Sequence, residues 1–189
     1  MDPYPGYGRC GFVRNKNILI TAWPGTGKTT LVLKLAAALA SSNPVGFTTL
    51  EVRKDGIRQG FELNGFDGSS RILADIHLKS TFHVGKYGVN VQGFEEYLET
   101  IRIGSGTQIA IIDEIGKMEW FSPRFRSLVN HLLASDVPLI ATIAMKGNGD
   151  FARIRTREDV RLHTLTRENR DRLGEEILRE IRAILGSKE

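Results

Sequence analysis

Asn17-Ile-Leu-Ile-Thr-Ala-Trp-Pro-Gly-Thr-Gly-Lys-Thr-Thr30, running on into Leu31-Val-Leu-Lys-Leu-Ala-Ala-Ala-Leu39, is the stretch whose reading decides the fold. The apolar run Asn17 to Thr21 reads as a buried strand, and Leu31 to Leu39 is apolar enough for a packed helix. Strand, glycine-rich loop and helix together are the context that a phosphate-binding loop requires. Gly25 and Gly27 let backbone N–H groups turn inward on a phosphate, and the helix that follows points its positive dipole end at the same charge. Lys28 is expected to reach the β- and γ-phosphates, and the Thr29 hydroxyl to sit on Mg²⁺. The expected nucleotide-binding residues are therefore Ala22, Trp23, Pro24, Gly25, Thr26, Gly27, Lys28, Thr29 and Thr30. Ala22 stands where such loops usually carry their first glycine; as the smallest replacement, it is expected to alter the start of the loop without abolishing binding. Trp23 either stacks on a base or ribose, or only covers the loop.

The 189 residues fit one α/β domain with a single sizeable core. No apolar run approaches the roughly 20 residues of a membrane-spanning helix, so a membrane protein is not expected. The one cysteine, Cys10, excludes an internal disulfide and a cysteine zinc cluster, which suits a reducing cytosol and a cytoplasmic protein. The four histidines, His77, His83, His131 and His163, show no metal-ligand spacing. Met1 to Asn15 holds Pro3, Pro5, Gly6, Gly8 and Gly11 without an apolar core, and is predicted to be a flexible extension before a domain at 16–189. The net charge of +4 suits nucleotides, nucleic acid or no particular partner. Arg153, Arg155, Arg157, Arg161, Arg167, Arg170 and Arg172 gather in the last third, interleaved with Asp150, Glu158, Asp159, Glu168 and Asp171. That pattern favours a solvated face with local ion pairs over a nucleic-acid groove. A monomer is compatible with the sequence.

Further along, Val45 to Arg53 and Ile57 to Leu63 read as a hairpin turning at Lys54-Asp-Gly56, with Ile57, Gln59, Phe61 and Leu63 on one face. The pair is expected to lie half-buried beside the main sheet. Short strands follow at Arg71 to Ile76 and Tyr87 to Val91, and a helix at Phe94 to Arg102. Thr107 to Asp113 and Val137 to Ala144 read as buried strands flanking a helix that Pro123 opens and that runs through Leu133. A short helix at Asp150 to Arg157, a strand at Val160 to Thr166 and a helix at Glu168 to Leu185 complete the chain. Apolar strands alternating with helices imply a mostly parallel sheet covered on both faces, with ligands at the carboxyl ends of its strands.

Ile109-Ala-Ile-Ile-Asp-Glu114 ends such a strand in two carboxylates. Asp113 is expected to hold Mg²⁺ with Thr29, and Glu114 to orient and deprotonate an attacking water, with Lys28 as the catalytic cation. Alone the pattern is weak; beside a phosphate-binding loop it gains weight. Thr142 is a secondary candidate for sensing the γ-phosphate or holding the water, or else simply bonds a neighbouring backbone. Arg53, Lys117 and Arg170 are the cations available for a transition state, unless they serve as ion-pair or surface groups. An Asn-Lys-x-Asp guanine-reading segment is not found where such a segment would lie.

The phosphate-binding loop, Leu50-Glu-Val-Arg53 with Gly60-Phe61, Val84-Gly-Lys-Tyr-Gly-Val89, Asp113-Glu-Ile-Gly-Lys-Met-Glu-Trp-Phe-Ser122 and Thr166-Arg-Glu-Asn-Arg170 occur in one order. In this the chain resembles the thermostable nucleoside-triphosphatase family, also called the cancer-related NTPase group, over about residues 17 to 185. The resemblance implies a RecA-like P-loop fold and Mg²⁺-dependent hydrolysis of ATP, GTP, CTP and UTP to diphosphate and phosphate. Gly25, Gly27, Lys28, Thr29, Asp113 and Glu114 inherit roles from it; Glu51, Arg53, Lys117, Glu119 and Glu168-Asn-Arg170 match as motif letters only. Ala22, Trp23 and Trp120 depart from the family pattern.

Two other functions share the loop and sheet: a nucleotide or nucleoside kinase, with an acceptor site in Glu51 to Val91, and a nucleic-acid-stimulated ATPase using the basic last third. The RecA-like reading places the strand of Val137 to Ala144 between the loop strand and the Asp113 strand. Direct contact of those two would favour the kinase and GTPase branch.

Overall fold

The computed structural model describes residues 15–104, 106–147 and 149–186, so the extension read from Met1 to Asn15 lies, but for Asn15, outside the described residues. Nine strands form one sheet: β1 (Asn17–Ala22), β2 (Val45–Lys54), β3 (Ile57–Gly65), β4 (Ser70–Asp75), β5 (His83–Val84), β6 (Tyr87–Val89), β7 (Ala110–Ile115), β8 (Leu139–Ile143) and β9 (Val160–Leu165). The helices are α1 (Lys28–Ala38), α2 (Val91–Leu98), α3 (Pro123–Ala134), α4 (Asp150–Arg155) and α5 (Arg170–Gly186). Across the sheet the order is β5-β6-β4-β3-β2-β7-β8-β1-β9. From β2 to β9 every pairing is parallel. Beyond β2 the sheet continues antiparallel. β8 separates β1 from β7, as the RecA-like reading requires.

Both faces of the parallel half are covered, which is why β1 and β8 are buried throughout. Ile18, Ile20, Ile109, Ile111 and Ile140 pack with Leu31 and Leu35 of α1 and with Leu173, Ile177 and Ile181 of α5. On the other face, Leu19, Ala110, Ile112, Leu139 and Ala141 meet α2 and α3. There Phe47, Phe94 and Phe125 cluster, with ring centroids 5.4 to 6.1 Å apart. Such contacts add to the area term of the core.

The hairpin is part of the main sheet rather than an addition beside it. Val45, Gly46 and Phe47 pair with β7, and the rest of β2 runs on past β7 with β3. Gly46 has φ of 123°, and a Cβ there would meet the Ile111 carbonyl oxygen at 2.0 Å, so this crossing needs glycine. Ile57 is 61% exposed because it sits at the hairpin turn, while Leu63, nearer the core, is fully buried. α2 begins at Val91 because Asn90 caps it, accepting the Gly93 N–H, and it stops at Leu98 rather than Arg102. β7 runs on through Glu114 to Ile115, whose buried side chain and pairing with Ile143 hold two carboxylates inside the strand.

Parallel strands end on one edge, so the segments after β1, β7, β8 and β9 gather there.

Candidate nucleotide-binding and hydrolytic site

Ala22 closes β1, paired with Leu165 of β9, and its buried methyl belongs to the core under α1 and α5. The residue in the first loop position thus continues the strand instead of bending it. The turn starts after it. Both the backbone N–H and the hydroxyl of Thr26 donate to the Trp23 carbonyl, at 3.3 and 2.8 Å. Gly25 and Gly27 have φ of 75° and 103°, a region that side chains avoid. Gly27 precedes α1 without a side-chain cap, and no acidic residue lies in the helix's first turn. The leading N–H groups of α1 therefore face the loop with no side-chain acceptor, the arrangement that binds anions.

Lys28 Nζ lies 3.3 Å from Glu114 Oε2, joining the loop to the end of β7. Asp113 beside it is buried. Its Oδ1 accepts from the Thr142 hydroxyl at 2.5 Å, the Thr29 hydroxyl stands near enough to the same carboxylate to favour its charged form, and Oδ2 has no hydrogen-bond partner. Thr49 Oγ1 donates to the Asp113 carbonyl at 2.6 Å, so β2 steadies the peptide from the other side.

Burial pushes Asp113 above the usual carboxylate range, opposed by the Thr142 and Thr29 hydroxyls and by Lys28. Burial likewise raises Glu114; Lys28 draws it down and the Asp113 charge pushes it up again. Glu119, 4% exposed in the 3₁₀ turn Glu119–Phe121, is raised by burial to about 8. A Cβ on Gly116 would lie 2.8 Å from Glu119 Oε2 and 3.3 Å from Glu114 Cγ, so the two glutamates flank that glycine closely.

Lys28, Thr29, Asp113, Glu114 and Thr142 are thus brought together. Thr142 bonds the Asp113 side chain, neither a backbone group nor open space. Arg53 and Arg170 stand apart: Arg53 is bound to Glu51 and to the Gly56 carbonyl at the hairpin tip, and Arg170 lies 3.8 Å from Asp171, largely exposed. Lys117 is exposed in the turn after β7. The arginines of the last third are largely paired, Arg153 with Asp150, Arg157 with Asp159 and Arg161 with Glu180, as a solvated face with local ion pairs would be.

Sequence reasoning gave no part to Lys146, whose Nζ stands 5.0 Å from the centre of the Trp23 ring, nor any assured role to Glu119. For Glu119 a signal existed: a lone carboxyl between Met118 and Trp120-Phe121 sits in an apolar run. For Lys146 none did, since the contact joins residues far apart in the chain.

A family model described as NTPase matches residues 17–178. The nucleoside-triphosphatase THEP1 of Thermotoga sp. (strain RQ2) is 42% identical over 176 residues, covering 91% of this chain and 99% of that protein. THEP1 of Archaeoglobus fulgidus is 38% identical over 164 residues, covering 86% and 96%. Among solved structures, the crystal structure of THEP1 from the hyperthermophile Aquifex aeolicus superposes with a TM-score of 0.77 at 39% identity, over 87% of this chain and 98% of that one. The solution structure of a human cancer-related nucleoside triphosphatase gives 0.73 at 33% identity, over 88% and 97%. With a family model and relatives of such identity spanning most of its length, the chain belongs to the THEP1 family of NTPases.

Proposed function

We propose that this protein hydrolyses the terminal phosphoanhydride of nucleoside triphosphates with relaxed base choice, in a Mg²⁺-dependent reaction in which Glu114 activates the water. The observation that carries the reading is the Lys28–Glu114 pair at 3.3 Å, which sets the phosphate-binding lysine against a carboxylate at the end of β7, across β8 from the loop strand. Lys28 neutralises Glu114. A triphosphate in the loop competes for Lys28, and Glu114, already raised by burial, becomes a better base as that cation leaves it. Water oxygen then bonds to Pγ, its proton passes to Glu114, the bond from Pγ to the bridging oxygen breaks, and the diphosphate leaves on that oxygen.

The donor set suits a divalent cation: a buried carboxylate oxygen, Asp113 Oδ2, lacks a partner, and the Thr29 hydroxyl stands near the same carboxylate. Mg²⁺ held by Thr29 and Asp113 would supply charge neutralisation for the β- and γ-phosphates. Thr142 keeps Asp113 oriented for that role. Relaxed base choice is supported by the lack of an Asn-Lys-x-Asp segment after a strand and by relatives whose names specify no base. Among the described residues no helix is long and apolar enough to cross a membrane, and we place the protein in the cytoplasm on its cysteine usage.

Phosphate release from ATP, GTP, CTP and UTP, with Mg²⁺ and with chelator, tests the proposal. Turnover of all four within about tenfold, abolished by chelator, is expected. Turnover of one base only, or unaffected by chelator, would contradict it.

A further inference from the structure

Lys146 belongs to the segment between β8 and α4, which leaves the sheet in the gap between the phosphate-binding loop and the Asp113–Glu114 strand end. That segment touches both sides. Ala144 N–H donates to the Ile115 carbonyl at 3.2 Å, and Lys146 reaches over the Trp23 ring. Arg155 clamps it on either side of Lys146, donating to the Ala144 carbonyl at 2.7 Å and to the Gly147 carbonyl at 2.9 Å. Below, Trp120 Nε1 bonds Asp150 at 3.2 Å and its ring packs on Phe151. The backbone is pinned while the lysine side chain is exposed.

Among the described residues Lys146 has no acidic partner, and its aromatic contact is with a Trp23 that is 58% exposed. A cation–π contact at such an exposed site is weak. A terminal phosphate is a far stronger partner for an ammonium. Most competing cations are engaged, Lys28 with Glu114, Arg53 with Glu51 and Arg155 with two carbonyls, which leaves Lys117 in the turn after β7 as the alternative to be tested.

We propose that Lys146 is a catalytic cation, held on Trp23 and transferred to the terminal phosphate when nucleotide binds. The inference rests on the hydrolytic reading of Glu114. Lys146 gives up no proton: water bonds to Pγ, Glu114 takes the proton, the bridging bond breaks, and the ammonium stays charged against the phosphoryl oxygens throughout. Trp23 is then the resting place of that cation, which gives the loop tryptophan a role besides covering the loop or stacking on a base.

The test compares Lys146→Met, Lys146→Arg, Lys117→Met and Glu114→Gln in the full chain, measuring kcat, KM, the Kd of ADP and tryptophan emission. In K146M, kcat is expected to fall by about 30-fold or more with KM and the ADP Kd within threefold, and K146R to recover at least about tenfold of that loss. In wild type, a non-hydrolysable β,γ-imido triphosphate should change tryptophan emission more than ADP does, and K146M should erase the difference. A K146M kcat within threefold of wild type while E114Q is inactive overturns the role of Lys146 alone. A loss that appears in K117M instead, a K146M loss matched by weaker ADP binding, a failure of K146R to recover, or equal emission changes for both nucleotides in wild type also overturns it. Undiminished hydrolysis by E114Q overturns the hydrolytic reading itself, whatever K146M does.

Discussion

Asp113 divides its carboxylate between a bonded oxygen and a bare one, and the division depends on Thr142. Thr142→Val keeps the shape of the buried side chain but removes its donor, leaving a second unpartnered oxygen in the core. The variant is expected to lose about 1–3 kcal/mol of stability and about 10- to 100-fold in kcat. Denaturant titration and phosphate release check both; unchanged values would remove Thr142 from the site. Glu119 makes a pH-dependent contribution. Its folded-state pKa of about 8 lies above the ordinary 4.5, so its share of stability is complete below about 4.5 and is lost as pH rises through 8. Glu119→Gln stays neutral, and between pH 5 and 8 wild type should lose stability relative to it by up to about 1.4 kcal/mol per pH unit. Parallel stability profiles would show that Glu119 titrates normally. The sequence made Asp113 and Glu114 legible because they end an apolar run. The link from Thr142 to Asp113 was not legible, since only the adjacency of β7 and β8 brings those residues together.

Among the elements, β1 and the glycine loop could be read almost to the residue, because an unbroken apolar strand and two obligatory glycines have few other uses, whereas α1 starts at Lys28, three residues before its apolar run from Leu31. α2 was displaced by three residues at its start. Asn90 supplies the cap, but Tyr87-Gly-Val-Asn-Val91 alternates like a strand, and the alternation masked the capping signal. The two-residue β5 offers no period to detect. Ser122 begins α3, its hydroxyl accepting the Phe125 N–H at 3.0 Å and donating to Glu95 at 2.8 Å. Ser122→Ala should cost about 1–2 kcal/mol by thermal or denaturant unfolding, with KM unchanged because the hydroxyl's partners, Phe125 and Glu95, are not residues of the phosphate-binding loop. A stability loss below about 0.3 kcal/mol would mean that the cap is dispensable.

At the scale of the whole molecule, the parallel order β2-β7-β8-β1-β9 gathers the loop, the paired carboxylates and the Lys146 segment on one edge. Alternating apolar strands and helices foretold that edge. They did not foretell that β2 would be shared between the parallel half and an antiparallel extension, because a hairpin signal fixes two strands to each other and says nothing about a third. The extension carries Arg53 and Glu51 in an exposed ion network that includes Arg58, rather than in contact with Lys28. Hydrolysis at this edge of the sheet depends on Glu114, and the Glu114→Gln variant is its decisive test. Phosphate release from ATP by this variant, with Mg²⁺ and matched nucleotide binding, is expected to fall by about 10²- to 10⁴-fold. Hydrolysis at the wild-type rate would contradict the assignment of Glu114 as the base that activates water.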